Sequence, residues 1–390
     1  MSLFDAQVDR PGFISRHKGW AMAVGAALVA LFVFATGPFG LSLNRTEEQR
    51  IRIVRVAEGM SFPWGLAFLP NGDMLVTERP GRLRIIRNGT LQAEPVAGVP
   101  NVVVRAQAGL MDVALHPRFA ENRFVYLTYS KAGQGDSPAL MRARFDGTRL
   151  TDAQDIFVAD AWSDSGGNTG SRIVFGKDGM IYMSVGDRHV PKMAQYLGNH
   201  AGKILRLRDD GTVPDDNPFI GQPGVRPEIF TYGNRNPQGL AIDPNSGALF
   251  ENEHGPRGGD EINLLQGGRN YGWPVITYGI NYDGSIITNE RTHPGMEQPL
   301  VYWVPSIGPS GMTVYTGDRF LRWKGNLFVG AMAGTHLRRV VLDGTRVVHE
   351  EQILRTLHVR IRDVRQGPDG LLYLLTDDEP GSVLRIEPAD

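Results

Sequence analysis

The densest collection of groups able to do chemistry lies in residues 232–274, YGNRNPQGLAIDPNSGALFENEHGPRGGDEINLLQGGRNYGWP. It holds Arg235, Asn236, His254, Arg257, Asp260 and Glu261 among turn residues, with few side chains to fill a core. In EHGPRGGDE, glycine and proline let the backbone bend so that carbonyl oxygens converge, and a hard cation such as Ca2+ takes carbonyls together with a carboxylate. The cluster therefore predicts a calcium site, although any one of these acids taken singly is explained as well by a polar loop facing water. Further along, HVRIRDVRQGPDG sets Arg360 and Arg362 two residues apart on an alternating strand, hence on one face. Two guanidinium groups so placed can grip an anion bidentately; taken alone, they also describe a solvated edge. In RAQAGLMDVALHP, Gln107 sits at a bend before a buried strand, where a turn hydrogen bond is its ordinary role. The stretch SGGNTGSRIVF, residues 165–175, begins as a polar glycine-rich loop and becomes an alternating strand at Arg172.

Several chemistries are excluded by what the chain lacks. There is no G-x-S-x-G, H-E-x-x-H, G-x-x-x-x-G-K-[ST] or dinucleotide fingerprint. The 9 histidines include no pair at metal-ligand spacing on one element, which sets zinc aside. With no cysteine there is no disulfide framework and no thiolate nucleophile. The formal charge of −1 comes from interspersed acids and bases without a basic block, so no nucleic-acid partner is expected.

The elements that must position these groups are strands. From about Val54, short apolar runs are broken by many of the 48 glycines and 25 prolines, and no long stretch keeps a helical period. One pattern recurs: an apolar run, a Pro/Gly/Asn/Asp turn, and a second apolar run ending in a polar residue. Its copies are GLAFLPNGDMLVTE, DVALHPRFAENRFVYLTY, RIVFGKDGMIYMSVGD, GLAIDPNSGALFENEHG, GMTVYTGDRFLRWKGNLFVGA and DVRQGPDGLLYLLTDD. Six copies at this spacing predict an all-β, six-bladed propeller of four-stranded antiparallel blades over residues 46–390, with chemistry where loops of several blades converge.

Residues 1–45 read as a leader. Arg16, His17 and Lys18 precede GWAMAVGAALVALFVFATGPFGLSLN, which carries no charge before Arg45. The run is long for a secretory segment and suits a spanning helix. Cleavage after Ala35 and a retained membrane anchor are both open, with length favouring the anchor. Either way the basic flank places the body on the periplasmic side.

Taken together, GNRNPQGLA, NEHGPRGGDEIN, NYGWP, VPDDNPF and RIRDVRQGPDG, in this order, resemble the soluble quinoprotein glucose/sorbosone dehydrogenases, most of all their aldose sugar dehydrogenase branch. The resemblance runs from about Val54 to Pro388. It implies a six-bladed propeller, pyrroloquinoline quinone (PQQ) as cofactor, Ca2+ polarising the quinone, and oxidation of an aldose to a lactone. Carried over by motif, Arg235 and Asn236 would contact the quinone, Arg360 and Arg362 its carboxylates, and Gln107 the reacting end. Ser310 would offer a hydroxyl to the cofactor. The carbonyls of Gly255 and Pro256 match ligands of the quinone-bound calcium; Glu261 and the Tyr271 carbonyl match a second, structural calcium. Asp187 matches an acid that orients the catalytic base.

Two positions depart from the family pattern. The base, a histidine four residues before the strand arginine, is here Asn168, and an amide cannot take a proton from a sugar hydroxyl. A cofactor lysine is here Ala333. Asp187, His189 and His254 are the groups that neighbouring loops could bring to the same space, with a supporting or surface role expected for the two histidines. Two functions follow: a PQQ-dependent aldose oxidoreductase with an altered base, passing electrons to an unnamed acceptor, or a noncatalytic propeller that binds a sugar or an anion.

Overall fold

The computed structural model describes residues 42–389. The hydrophobic helix expected in the leader lies outside the described residues, and the compact body begins at Ser42. Ser42–Arg45 pairs antiparallel with Arg50–Met60, Asn44 opposite Ile51.

Six antiparallel sheets make six blades. Blades 1 to 5 each hold four strands taken in sequence order. Blade 6 is built from Ile361–Gln366, Leu372–Thr376 and Gly381–Pro388, and Arg50–Met60 joins it from the other end of the chain, with Ile53 opposite Ile386. Ser42–Arg45 lies outside that strand, so the closing sheet has five strands where four were expected.

The six repeated segments are the innermost hairpins of the six blades. Their turns explain the recurring Asn-Gly and Asp-Gly: Gly72, Gly179 and Gly370 have φ of +87°, +76° and +75°. Each donates its amide to the carbonyl three residues back. A side chain is strained at such angles, and glycine is not. The second strands Met74–Glu78, Ile181–Val185, Leu249–Glu253, Leu327–Ala331 and Leu372–Thr376 are buried along their whole length, since each has sheet neighbours on both sides and adjacent blades on both faces. The apolar core therefore lies between blades as a chain of clusters, such as Trp323, Phe328, Tyr315 and Leu374 between blades 5 and 6.

Successive first strands touch around a closed ring. Arg172 sits at its centre, fully buried. It is 3.1 Å from Asp112 Oδ1 of blade 2 and 3.1 Å from Asp363 Oδ1 of blade 6, donates Nε–H to the Gln238 carbonyl of blade 4 and stacks over Trp64 of blade 1 at 4.2 Å. Arg365 pairs with the same two carboxylates at 2.9 and 2.8 Å. Among the described residues no helix is long and apolar enough to cross a membrane.

Candidate functional site

The loops that enter the first strands, together with the turns after the second strands, share one end of the ring, and they carry nearly every residue singled out from the sequence. Gln107 precedes blade 2, Asn168 blade 3, Arg235 and Asn236 blade 4, Ser310 opens blade 5 and Arg362 opens blade 6. A hydrogen-bond chain joins Gln107, Asn168, Asn236 and Arg362 across blades. Gln107 Oε1 accepts from the Asn168 amide at 3.2 Å and from Asn236 Nδ2 at 3.4 Å. Asn236 Oδ1 accepts from Gln238 Nε2 at 3.1 Å, and Gln238 Oε1 from Arg362 Nη1 at 3.4 Å. Arg362 and the Asn168 loop thus belong to one interior assembly, and Arg235 joins it through Asp187, whose backbone amide donates to the Arg235 carbonyl at 2.8 Å while its Oδ1 accepts from Asn168 Nδ2.

Arg360 and Arg362 do share a face. Asp377, at the end of the neighbouring second strand, lies between them, taking Arg360 on Oδ2 at 3.0 Å and Arg362 on Oδ1 at 3.1 Å. The two guanidinium groups keep the Asp377 carboxyl below its usual range against the effect of its burial. Arg362 is 7% exposed and Arg360 is exposed, so the pair spans the wall and mouth of the site.

Asn168 occupies the place sequence assigned to a base. Its Nδ2 donates to Asp187 Oδ1 at 2.8 Å, while Trp273 Nε1 donates to Asp187 Oδ2 at 2.8 Å and the His189 amide donates to Oδ1 at 2.9 Å. With three donors and 1% exposure, Asp187 is an acceptor that positions its neighbours from behind. The backbone here is unusual for side-chain-bearing residues: Asn168, Arg188 and His189 have φ of +43°, +59° and +61°. Arg188, buried, holds that turn to the 161–168 loop through the Gly167 carbonyl at 2.8 Å and to blade 2 through Asp136 at 2.6 Å.

Residues of both expected calcium sites border one pocket. Gly255 is confined, since a Cβ there would lie 2.1 Å from the Gly258 carbonyl oxygen, and its carbonyl accepts from Arg235 Nη1 at 2.9 Å. Pro256 follows, buried. Asp260 holds the loop instead of facing an opening: it accepts from Gly255 N at 2.9 Å, Ser306 Oγ at 2.9 Å, Ile307 N at 2.7 Å and Gly308 N at 2.9 Å. Arg257 is exposed.

That pocket is small and is lined by Arg235, Glu253, Gly255, Glu261, Tyr271 and Trp273, so Gly255 of one expected site borders the same hollow as Glu261 and Tyr271 of the other. Glu253 was not singled out from the sequence. It stands directly opposite Glu261 across the Leu249–Glu253 and Asp260–Leu265 pairing, with Glu251 opposite Asn263. Burial raises all three carboxyls, Glu253 to about 7 despite a hydrogen bond from the Arg235 amide. Glu251 Oε1 and Asn263 Oδ1 are buried without a partner. Adjacent buried acids with unmet oxygens are the environment a cation would relieve. The available signal in sequence was the alternation E-N-E in LFENE, which puts Glu251 and Glu253 on one face. Among the described residues no three His, Cys, Asp or Glu side chains are grouped to hold a metal, so any cation here draws on backbone oxygens.

One expectation moved. Ser310 is fully buried and donates its hydroxyl to the Ile361 carbonyl at 2.6 Å, tying blade 5 to blade 6 rather than facing the opening. His254 donates Nε2–H to the Pro309 carbonyl at 2.6 Å, and burial lowers it to about 4, so it is a neutral brace. Ala333 is exposed on the turn after the second strand of blade 5, over Gly308.

This propeller, with its polar assembly at one mouth, is one the glucose/sorbosone dehydrogenase model matches over residues 60–385, and the chain belongs to that family. It is 42% identical to the aldose sugar dehydrogenase YliI of Escherichia coli (strain K12), over 87% of this chain and 93% of that protein. The crystal structure of the soluble E. coli aldose sugar dehydrogenase in its apo form superposes with a TM-score of 0.84, covering 87% of this chain and 100% of that one. The PQQ-bound aldose sugar dehydrogenase of Streptomyces coelicolor, 28% identical, superposes with a TM-score of 0.71 over 86% of this chain and 97% of that one.

Proposed function

We propose that the protein is a PQQ-dependent oxidoreductase that oxidises an aldose at its anomeric carbon to the lactone. The observation that carries this reading is the hydrogen-bonded assembly of Gln107, Asn168, Asn236 and Arg362 at one end of a family propeller, which Arg235 joins through Asp187. Bound PQQ would supply an acceptor for two electrons and a proton, with Ca2+ increasing the electrophilicity of its carbonyl.

The residues present fit such a group. Arg360 and Arg362 offer charge-assisted donors to a flat polyanion, in competition with Asp377. Arg235 and Asn236 face it from blade 4, and Gln107 reaches the reacting end. Gly255 and Pro256 would present carbonyls to the quinone-bound cation; Glu261 with the Tyr271 carbonyl, joined by Glu253, would hold the structural one. Asp187 orients the Asn168 amide, whose Oδ1 can accept a hydrogen bond from the sugar hydroxyl without taking its proton.

The charged leader and apolar run support export with the body on the periplasmic side, anchored or released, and electrons leaving to a separate acceptor. The substitutions at Asn168 and Ala333 favour a second reading, a noncatalytic propeller binding a sugar or anion. Purified body loaded with Ca2+ and PQQ, assayed for aldose-dependent dye reduction, separates the two. Reduction with at least one aldose is expected. PQQ binding with no aldose oxidation selects the second reading, and no binding at all sinks the first.

A further inference from the structure

The base position holds an amide, yet an imidazole lies beside it. His189 follows Asp187 by two residues, and its backbone amide donates to the same carboxylate oxygen that holds Asn168. Its ring rests on Gly167, the residue before Asn168: a Cβ on Gly167 would lie 2.1 Å from His189 Nε2. A side chain at 167 would push that imidazole from its place. The residue is exposed at the mouth, and among the described residues neither ring nitrogen has a hydrogen-bond partner. Its left-handed backbone is one such residues seldom adopt, and the buried Arg188 beside it is clamped to Asp136 and the Gly167 carbonyl, so the turn is held in place.

Resting on the oxidoreductase reading above, we infer that His189 is the general base for this chain's sugar oxidation, acting from the turn after the second strand of blade 3 in place of the residue at position 168. In the step, the anomeric hydroxyl gives its proton to a neutral His189 ring nitrogen. The C1–H electron pair leaves as hydride to the bound quinone, and the C1–O bond becomes the lactone carbonyl. Asn168 Oδ1 and Gln107 orient the hydroxyl without accepting the proton.

The charged groups acting on the ring are Asp187, Arg235 and Arg188. Partial burial lowers its affinity for a proton, the two arginines add to this, and Asp187 opposes. A base held neutral in that way is available from slightly acidic pH upward.

The experiment compares wild type with His189→Gln and with Asn168→His/His189→Gln, all loaded with Ca2+ and PQQ. His189→Gln is expected to bind PQQ as wild type does, by absorbance titration. It should lose about 10²–10⁴-fold in kcat/KM and lose the acidic limb of the pH profile. Returning an imidazole to position 168 in the double variant should restore turnover. As a readout independent of turnover, carbethoxylation of His189 in wild type, followed by peptide mass, should slow when Ca2+ and PQQ are bound. Wild-type oxidation with an unchanged rate and pH profile in His189→Gln, or modification of His189 indifferent to PQQ, overturns the assignment and leaves the oxidoreductase reading standing. Wild type that binds no PQQ overturns both.

Discussion

At the scale of single residues, Asp187 shows how geometry assigns roles. Three donors occupy its oxygens, so it serves Asn168, Trp273 and the His189 amide as an acceptor and is not placed to receive a substrate proton. Its importance was legible in SVGDR, but Trp273 as its partner was not, because the two are far apart in sequence. Ala333 argues in the same way. It is exposed on its turn, so a longer side chain has room there. Ala333→Lys is expected to tighten PQQ binding by roughly 10- to 150-fold, the value of one charge-assisted hydrogen bond, measured by absorbance titration; unchanged affinity would count against that turn facing the cofactor. Asn168→His in the wild-type background places a base on Asp187 and should raise kcat, with a fall indicating that the amide is needed as an orienting acceptor.

At the scale of elements, the Leu249–Glu253 and Asp260–Leu265 pair concentrates buried acid. Burial holds Glu253 up to about 7, and Glu251 and Glu261 well above the ordinary range. In the unfolded chain these groups ionise near 4.5. The folded, metal-free protein therefore retains protons the unfolded chain has lost, and its stability falls as pH rises through the folded values. His254, lowered to about 4 from 6.5, acts oppositely only below 6.5. Lys203, which burial lowers from 10.5 to about 7, also acts oppositely above about pH 7, so the acids act unopposed by these two groups from about pH 6.5 to about pH 7. Over that window, the melting temperature of metal-free protein should drop, and Ca2+ should restore it most at the upper end. Glu261→Gln should flatten both effects. A melting curve indifferent to pH and to calcium would remove the case for a cation between these strands. The alternation of LFENE was readable; that its acids face DEIN, and not water, depended on strand register.

At the scale of the whole molecule, closure is achieved twice, by Arg50–Met60 completing blade 6 and by Arg172 at the hub. Arg172→Leu should destabilise the protein by about 3–5 kcal/mol, since Asp112 and Asp363 would then share only Arg365 in a buried setting; urea unfolding measures it, and a loss below about 1 kcal/mol would show that the ring does not depend on the hub. The sequence by itself determined the architecture and the end of the ring that carries chemistry. Hairpin periodicity and positive-φ turn residues are local properties, and the six copies of one unit leave few ways to close. Motif likeness also identified Gln107, Asn168, Arg235, Asn236 and Arg362, which the structure draws into one assembly. Only the tertiary structure decided what each group touches: Ser310 turned to Ile361, Asp260 committed to backbone amides, Glu253 set against Glu261, and His189 laid over Gly167 beside the amide. Those outcomes depend on register and on approach between blades distant in sequence, where shifts of one residue or a few ångströms exchange a buried partner for solvent.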